Sequence, residues 1–566
     1  MRNIFEKIRN DNLSALLLLA ILSVIAYVNS FGASFHFDDT YVIIEDTLIH
    51  DIGNLPAILG EYLHRPILRA TFALNYLISG DSVAGYHLFN LVLHIMTGFL
   101  VFFFIKKISG FFDMESDNTF PLLASLIFTL HPVMTGSVTY ISSRSSLLLT
   151  VFVFITILLA LHGIKKKGGT RYLYFALTFI FYLLSYGVKE TAVVIPLLFI
   201  LLSVLLFYRK KIYEAKPLFI LGLLGASIIS IYLYYRYAGL GAVIPVDVRV
   251  DEPILSNWNY FLTEMNVIAL HYSQWILFPF TGPNPDPDIL NERTLFDFST
   301  LFSLVIISLL MLVAVINLKK RPIITLGIAW FFIALAPTSS FIPIADVAVE
   351  RRLYLPMAGA SIVLAYGLYN LLGCMSEKGW LILCSVIFVV MIAFTIRSNS
   401  VWATEVSLWD HGAKKSPNKV RVLNNRAWGY YLAGDLETSE KYYLELVKRF
   451  PEYPYAYNNL GTIYSTYGDH QKSVAYFENA VILKPNFLRL RYNLANAYIK
   501  AARFDRAIAE AREVLRVYPN NVDFLYLLGL ALEKKGKIAN AKAIYKQVLM
   551  IDPKHHLSIM SLKAMK

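Results

Sequence analysis

Charge is scarce in this chain of 566 residues: Asp, Glu, Lys and Arg make up 16%, against about a quarter in soluble domains. Cysteine is almost absent, with Cys374 and Cys384 the only two. The shortage of charge excludes a soluble enzyme and a disordered chain. The shortage of cysteine excludes a disulfide framework. The formal net charge is +12, but the basic residues do not gather on one soluble face, which argues against a nucleic-acid partner. What the chain has in abundance is apolar residues, 56% of the total, arranged in long runs that give a mean hydropathy of +0.52.

A membrane-crossing helix needs about 20 apolar residues. Runs of that kind centre on Leu19, Val92, Leu126, Phe152, Ala176, Leu198, Leu223, Ile306, Trp330, Val363 and Val389. They predict an all-α fold in which residues 1–400 form a multi-pass membrane bundle of about eleven spans. MRNIFEKIRN precedes the first run without a small-residue cleavage pattern after it, so that run reads as an anchor. Basic clusters at Arg2/Lys7/Arg9, Lys106/Lys107, Lys165–Lys167 with Arg171, Arg209–Lys211 with Lys216, and Lys319–Arg321 fall on alternate loops. The positive-inside rule places them, and the N-terminus, in the cytoplasm. Tyr260–Phe280 is apolar but carries Glu264, His271 and Gln274. It reads as an interfacial or re-entrant helix in an external loop at about 239–298, and whether it spans stays open.

From residue 403 the pattern changes. Pro417, Pro451, Pro485, Pro519 and Pro553 recur every 34 residues, the tetratricopeptide (TPR) period. Gly461 and Gly529, Ala507 and Ala541, and Tyr443, Phe477 and Tyr545 keep the same register. Residues 403–566 are therefore predicted to form an α-solenoid of four repeats over about 420–555, with flanking helices. Asn425, Asn459 and Asn493 also recur at this spacing. An amide has one acceptor and two donors, so such a row suits the backbone of an extended peptide or contacts within the repeats.

Polar motifs inside the apolar half are the second signal, because an ionisable group at bilayer depth costs roughly 2.5–3.5 kcal/mol on insertion scales. HFDDT (His36–Thr40), HRP (His64–Pro66), YHLFNLVLH (Tyr86–His94), HPVMTGSVTYISSR (His131–Arg144), GVKET (Gly187–Thr191), PTSSF (Pro337–Phe341) and VERRLYLP (Val349–Pro356) all fall on the face opposite the basic loops. Asp38 and Asp39 are the candidate catalytic carboxylates, one accepting a proton and the other orienting or charging the site. Arg65, Arg144, Lys189, Arg351 and Arg352 could surround an anionic group such as a phosphate. His87, His131, Glu190 and Glu350 are candidate supporting groups, the two glutamates as partners of neighbouring cations. No metal-ligand set of recognised spacing is present, and a divalent-metal requirement stays open.

The ordered motifs FDDT, RPILRATFALNYLISG, GYHLFNLVLH, HPVMTGSVTYISSRSSLL, KETAVVIPLL and VERRLYLP, followed by TPRs, resemble the transmembrane-and-TPR O-mannosyltransferases of the GT-C superfamily. The resemblance covers most of the chain. It implies a GT-C-like glycosyltransferase that takes a sugar, such as mannose, from a polyprenyl-phosphate donor on the extracytoplasmic face and inverts its anomeric centre. It also implies a hydroxyl of a polypeptide as acceptor and Asp38 or Asp39 at the catalytic position. The asparagine row resembles the polypeptide-holding ladder of O-GlcNAc transferases. One departure is visible: where the family continues after His-Pro with a further His and a Glu, this chain has Met134 and Gly136. A GT-C enzyme acting on glycan or lipid and a non-catalytic scaffold recruiting partners through its TPRs are the alternatives. Cytoplasmic lysines without a targeting extension suit a bacterial inner membrane, with the TPRs periplasmic or otherwise extracytoplasmic.

Overall fold

The structure, a computed structural model, describes residues 2–60, 65–115, 117–239, 255–289, 294–344 and 346–565. Among them there are helices and no strand. The chain divides into two compact units, Met1–Lys415 and Ser416–Lys566.

Helices stand at all eleven predicted centres of the first unit. They are α1 (Asn12–Tyr27), α2 (Val83–Phe111), α3 (Thr119–Leu130), α4 (Arg144–Gly163), α5 (Gly168–Tyr186), α6 (Val194–Tyr208), α7 (Ile212–Gly239), α8 (Phe298–Lys320), α9 (Pro322–Leu335), α10 (Pro356–Leu372) and α11 (Glu377–Val401). Not all of them are long and apolar enough to cross on their own. Among the described residues seven helical stretches are long and apolar enough to cross a membrane, and an eighth is added if the pair Thr119–Leu130 and Pro132–Val138, bent by 53°, counts as one broken span. α5 has the length but not the composition, since it opens on Gly-Gly-Thr-Arg; for α3, α9 and α10 proline is the physical reason. Pro132 follows α3 directly, and Pro322 and Pro356 open α9 and α10. Proline fits a first turn but cannot continue a helix from before it, so α9 and α10 stay at 14 and 17 residues. The two pack almost backbone to backbone: a Cβ on Gly359 would meet the Gly327 carbonyl oxygen at 2.3 Å.

One end of the bundle gathers the basic loops. Arg209 Nη2 donates to the Phe112 carbonyl at 3.0 Å and to Asp113 at 2.7 Å, Lys165 lies over the Phe111 ring, and Lys319 lies over Tyr208. HFDDT follows α1, HPVMTGSVTYISSR runs from the end of α3 to the start of α4, GVKET separates α5 from α6 and VERRLYLP precedes α10, while HRP precedes the helix Pro66–Ser79 and His87 lies in the second turn of α2. The segment predicted to be interfacial or re-entrant is a helix in three pieces, Asn257–Asn266, Val267–Tyr272 and Ser273–Leu277. It is not among the stretches apolar enough to cross. Its Asn266 is held by α8 through Thr300 and Ser303.

A twelfth helix, α12 (Glu405–Lys415), closes the first unit, although the sequence pattern assigns these residues to the repeat side. Its Glu405 meets His36 and its Lys415 meets the Gly282 carbonyl, which ties both ends of the helix to the loops of the bundle. The second unit holds the four predicted helix pairs, Val420–Leu432 with Leu436–Arg449, Pro454–Thr466 with His470–Leu483, Leu488–Lys500 with Phe504–Val517, and Val522–Lys534 with Ile538–Ile551. A Cβ on Gly461 would stand 2.9 Å from the Phe477 ring, and one on Gly529 would stand 2.7 Å from Tyr545. These close approaches explain the small–aromatic register. The turn inside each pair is left-handed at Gly434, Gly468, Ala502 and Gly536.

Candidate active site

The HFDDT motif leaves α1 as a tight turn. Asp39 is fully buried and its carboxylate is saturated. Oδ2 accepts the His36 N–H at 2.9 Å, and Oδ1 accepts the Ser142 N–H at 2.8 Å together with the Ser142 hydroxyl. Burial raises its pKa to about 6 against these donors. Asp38 is exposed. Its N–H donates to Tyr140 Oη at 3.2 Å, and the Tyr140 hydroxyl donates to its Oδ2 at 3.2 Å. The two carboxylates thus stand in opposite environments: one fastens the turn to the loop before α4, and the other projects from it.

Tyr140 also connects Asp38 to the cations. The Arg351 guanidinium lies 5.7 Å from the Tyr140 ring centroid and is half-buried, paired at 3.0 Å with Asp346. Lys189 donates to Ser146 Oγ at 2.8 Å. Burial, then the charges of Arg65 and Arg351, push its pKa down to about 7. Arg65 grips Glu190 with two nitrogens, at 3.1 and 2.8 Å, and the Ile67 N–H donates to the Gly187 carbonyl. These contacts bring the RP and GVKET motifs together. His64 of the HRP motif lies outside the described residues.

The other predicted cations are placed differently. Arg144 is fully buried. Nε donates to Asn90 at 2.9 Å and Nη2 to Asn75 at 2.6 Å, while the Thr71 and Tyr86 carbonyls accept at 3.2 and 3.3 Å. The rings of Phe72 and Phe89 stand 4.4 Å from its guanidinium. Its role as a phosphate ligand is therefore corrected: four of its five N–H donors tie Pro66–Ser79, α2 and α4 together in a space closed by aromatic rings. Arg352 likewise turns inward. It donates to the Val347 carbonyl at 2.7 Å and to the Asp346 carbonyl, and it pairs with buried Glu264 at 3.4 Å. It fixes the loop from which Arg351 emerges.

The supporting residues are likewise committed to the fold. His87 Nε2 meets the Ala33 carbonyl at 3.0 Å. His131 Nε2 meets the Ile276 carbonyl at 2.9 Å, and its Nδ1 accepts the Val133 N–H. Glu350 is buried and accepts the Asn284 N–H at 3.1 Å. Burial raises its pKa, and Lys415 opposes this. A Cβ on Gly136 would sit 3.2 Å from Glu350 Oε2, so a larger residue there would crowd Glu350. Met134 is fully buried. Among the described residues no group of three His, Cys, Asp or Glu side chains is placed to hold a metal ion.

Sequence reasoning missed Tyr140, Glu264, Trp402, Glu405 and Trp409. Tyr140 lay inside a quoted motif, and Glu405 is the first acidic residue after α11. Those were the available signals.

In the second unit Asn425, Asn459 and Asn493 are half-buried. They join Asn424 and Asn458 in one run of amides. Asn493 Nδ2 donates to Asn458 at 2.7 Å, Asn458 to Asn459 at 3.1 Å, Asn459 to Asn424 at 3.1 Å, and Asn424 to Asn425 at 3.1 Å. Asn459 Nδ2 also donates to Tyr443 Oη at 2.8 Å, which uses its second hydrogen. The row crosses repeat boundaries, and Asn459 has no donor left for a peptide.

The Tetratricopeptide repeat family matches residues 424–486 and 492–556. The Caenorhabditis elegans protein O-mannosyl-transferase F38B6.6 is 25% identical over 466 residues, which is 79% of this chain and 64% of that protein. The chain is similar to the protein O-mannosyl-transferases. This bears out the resemblance read from the motifs. Human TMTC3 is 23% identical over 78% of this chain and 52% of its own length, and mouse TMTC4 is 25% identical over 76% and 66%. The chain thus spans about half to two thirds of the length of these relatives. Among solved structures, MamA 41-end from Desulfovibrio magneticus RS-1 aligns with 26% of this chain and 84% of its own at 21% identity and a TM-score of 0.25.

Proposed function

We propose that the chain is a membrane glycosyltransferase that moves a hexose, such as mannose, from a polyprenyl-phosphate donor to a hydroxyl of a polypeptide. The observation that carries this reading is the exposed Asp38 carboxylate sharing Tyr140 with the Arg351 guanidinium, at one end of an apolar helix bundle. The relatives named protein O-mannosyl-transferases support the same chemistry. Asp38 takes the acceptor hydroxyl proton while the acceptor oxygen bonds to the anomeric carbon. The bond from that carbon to the phosphate oxygen breaks, and polyprenyl phosphate leaves with its electron pair. Arg351 and Lys189, with Arg65 behind them, stabilise the charge that develops on the leaving phosphate. A single displacement of this kind inverts the sugar. The lipid tail lies along the apolar helices, and the alternation of basic loops supports an extracytoplasmic position for Asp38, as in a bacterial inner membrane.

Asn425 and Asn493 have amide hydrogens not used in the row, and they are the proposed acceptor contacts of the repeat unit. The spent donors of Asn459 favour a second reading, a GT-C transferase acting on a glycan or lipid hydroxyl. Reconstituted protein supplied with labelled polyprenyl-phosphate mannose and a secreted protein acceptor tests both. Label on Ser or Thr of the protein is the expected result. Label only on glycan or lipid would select the second reading, and no transfer from any polyprenyl-phosphate sugar would overturn both.

A further inference from the structure

The turn that carries Asp38 is closed by its neighbours. The Asp39 N–H donates to the His36 carbonyl at 2.9 Å and the His36 N–H donates back to Asp39 Oδ2. Between them Phe37 adopts a left-handed backbone with φ of 49°, which a residue with a side chain keeps only when its surroundings impose it. The surroundings here are aromatic. The Phe37 ring lies 5.4 Å from Tyr140, 6.1 Å from Trp402 and 5.3 Å from Trp409, centroid to centroid and steeply inclined. This packing turns the chain so that Asp38 faces out.

His36 is enclosed, and both of its ring nitrogens face acceptors. Nδ1 is 2.7 Å from Glu405 Oε1, and Nε2 is 2.7 Å from the Trp402 carbonyl oxygen. The Ser34 hydroxyl also lies 3.4 Å from Nε2. The two shorter contacts, both to acceptors, are met together only by an imidazolium, which has two N–H donors. The other oxygen of Glu405 accepts the Trp409 indole N–H at 2.7 Å. One carboxylate at the start of α12 therefore holds both the ring that anchors the turn and the ring that packs its left-handed residue.

We propose that Glu405 is a positioning residue for Asp38, acting through protonated His36 and the Phe37 turn to set the angle at which the Asp38 carboxylate meets the acceptor hydroxyl. The inference rests on Asp38 being the base. Loss of the His36 proton would set a nitrogen lone pair against the Glu405 carboxylate or the Trp402 carbonyl and release the turn. The titratable groups facing His36 are Glu405, Asp39 and, from α2, His87. Burial opposes the charge on His36, but Glu405 first, then the Trp402 carbonyl and Asp39, outweigh it and raise its pKa. Without the charge of Glu405 the ring should lose its proton at lower pH.

The test is steady-state transfer by full-length protein carrying Glu405→Gln, Glu405→Asp, His36→Gln and the His36→Gln/Glu405→Gln pair, with Asp38→Asn as reference. Glu405→Gln should lower kcat about tenfold, a loss typical of a misplaced catalytic group, with the acceptor KM within about twofold. The alkaline limb of its pH profile should move to lower pH by about one unit. Glu405→Asp, which keeps the charge, should lower kcat and leave the limb in place. Adding Glu405→Gln to His36→Gln should cost nothing further, since the two act as one unit. Wild-type kcat and an unmoved limb in Glu405→Gln would overturn the inference, as would additive losses in the pair. If Glu405→Gln does not fold, a limb that moves in Glu405→Asp, or a His36→Gln variant with wild-type kcat, overturns it instead. Full activity of Asp38→Asn would instead overturn the assignment of the base, a result that none of the Glu405 arms can produce.

Discussion

In the loops of the first unit each charged doublet divides its labour, whereas in the repeat unit the matching asparagines bind one another. Asp39 is enclosed by Ser142 and the His36 N–H, while Asp38 next to it is exposed. Arg352 is turned inward onto Glu264 and two carbonyls, while Arg351 next to it lies over Tyr140. In the repeats each amide donates to the next, and Asn459 spends both hydrogens. Irregular loops offer adjacent residues different surroundings, so one can satisfy the fold and leave the other open. A periodic row sets amides one repeat apart, within reach of the next repeat, so neighbouring repeats can satisfy each other.

The arginine doublet gives the sharpest contrast. Arg352→Gln should cost about 3–5 kcal/mol of stability, because it leaves Glu264 buried without its cation. Arg351→Gln should unfold within about 1 kcal/mol of wild type, as expected for a partly exposed pair, while losing roughly 100-fold in donor kcat/KM. Thermal unfolding and donor titration in the same membrane preparation measure both. Equal losses in the two variants would break the division of labour.

Lys189 gives a smaller effect with a definite sign. A lysine whose pKa is pushed down to about 7 is charged below that pH and neutral above it. The donor KM should therefore rise as pH increases through 7, by about tenfold per unit at most. Lys189→Arg stays charged across the range, and its donor KM should be flat from pH 6 to about pH 9. A sloping profile in the arginine variant would remove Lys189 from the phosphate site.

The smallest effect belongs to the repeats. Asn459→Ala should lose about 0.5–1.5 kcal/mol for each hydrogen bond removed, seen as faster hydrogen exchange in helix Pro454–Thr466. Transfer to a small hydroxyl acceptor should not change. Unaltered exchange together with weakened peptide binding would return Asn459 to the acceptor.

The repeat unit was readable because five prolines hold one register and small residues face aromatics across each pair. The eleven helix centres were readable because apolar runs need no partner to be recognised. How many run on as full spans was less readable, since Pro132, Pro322 and Pro356 shorten helices whose composition is continuous. Arg144 misled for a different reason. A cation in a polar motif looks the same in sequence whether it meets a ligand or, as here, Asn75 and Asn90 from two other helices. Glu405 was hidden by its position, since its partner His36 lies 369 residues away in sequence. The asparagine row was visible, but the doublets that let it close on itself were not weighed.

The most direct measurement is transfer by purified Asp38→Asn and Asp39→Asn side by side, from a polyprenyl-phosphate-linked sugar, with thermal unfolding of the same samples. Asp38→Asn should unfold as wild type does and transfer at least about 100-fold more slowly, because an amide fills the same space but takes no proton. Asp39→Asn should lose about 1–3 kcal/mol of stability, because an amide cannot accept all three hydrogen bonds that the carboxylate accepts. Near wild-type transfer by Asp38→Asn, or a fully stable Asp39→Asn that is inactive, would contradict the assignment of the base to the exposed member of the pair.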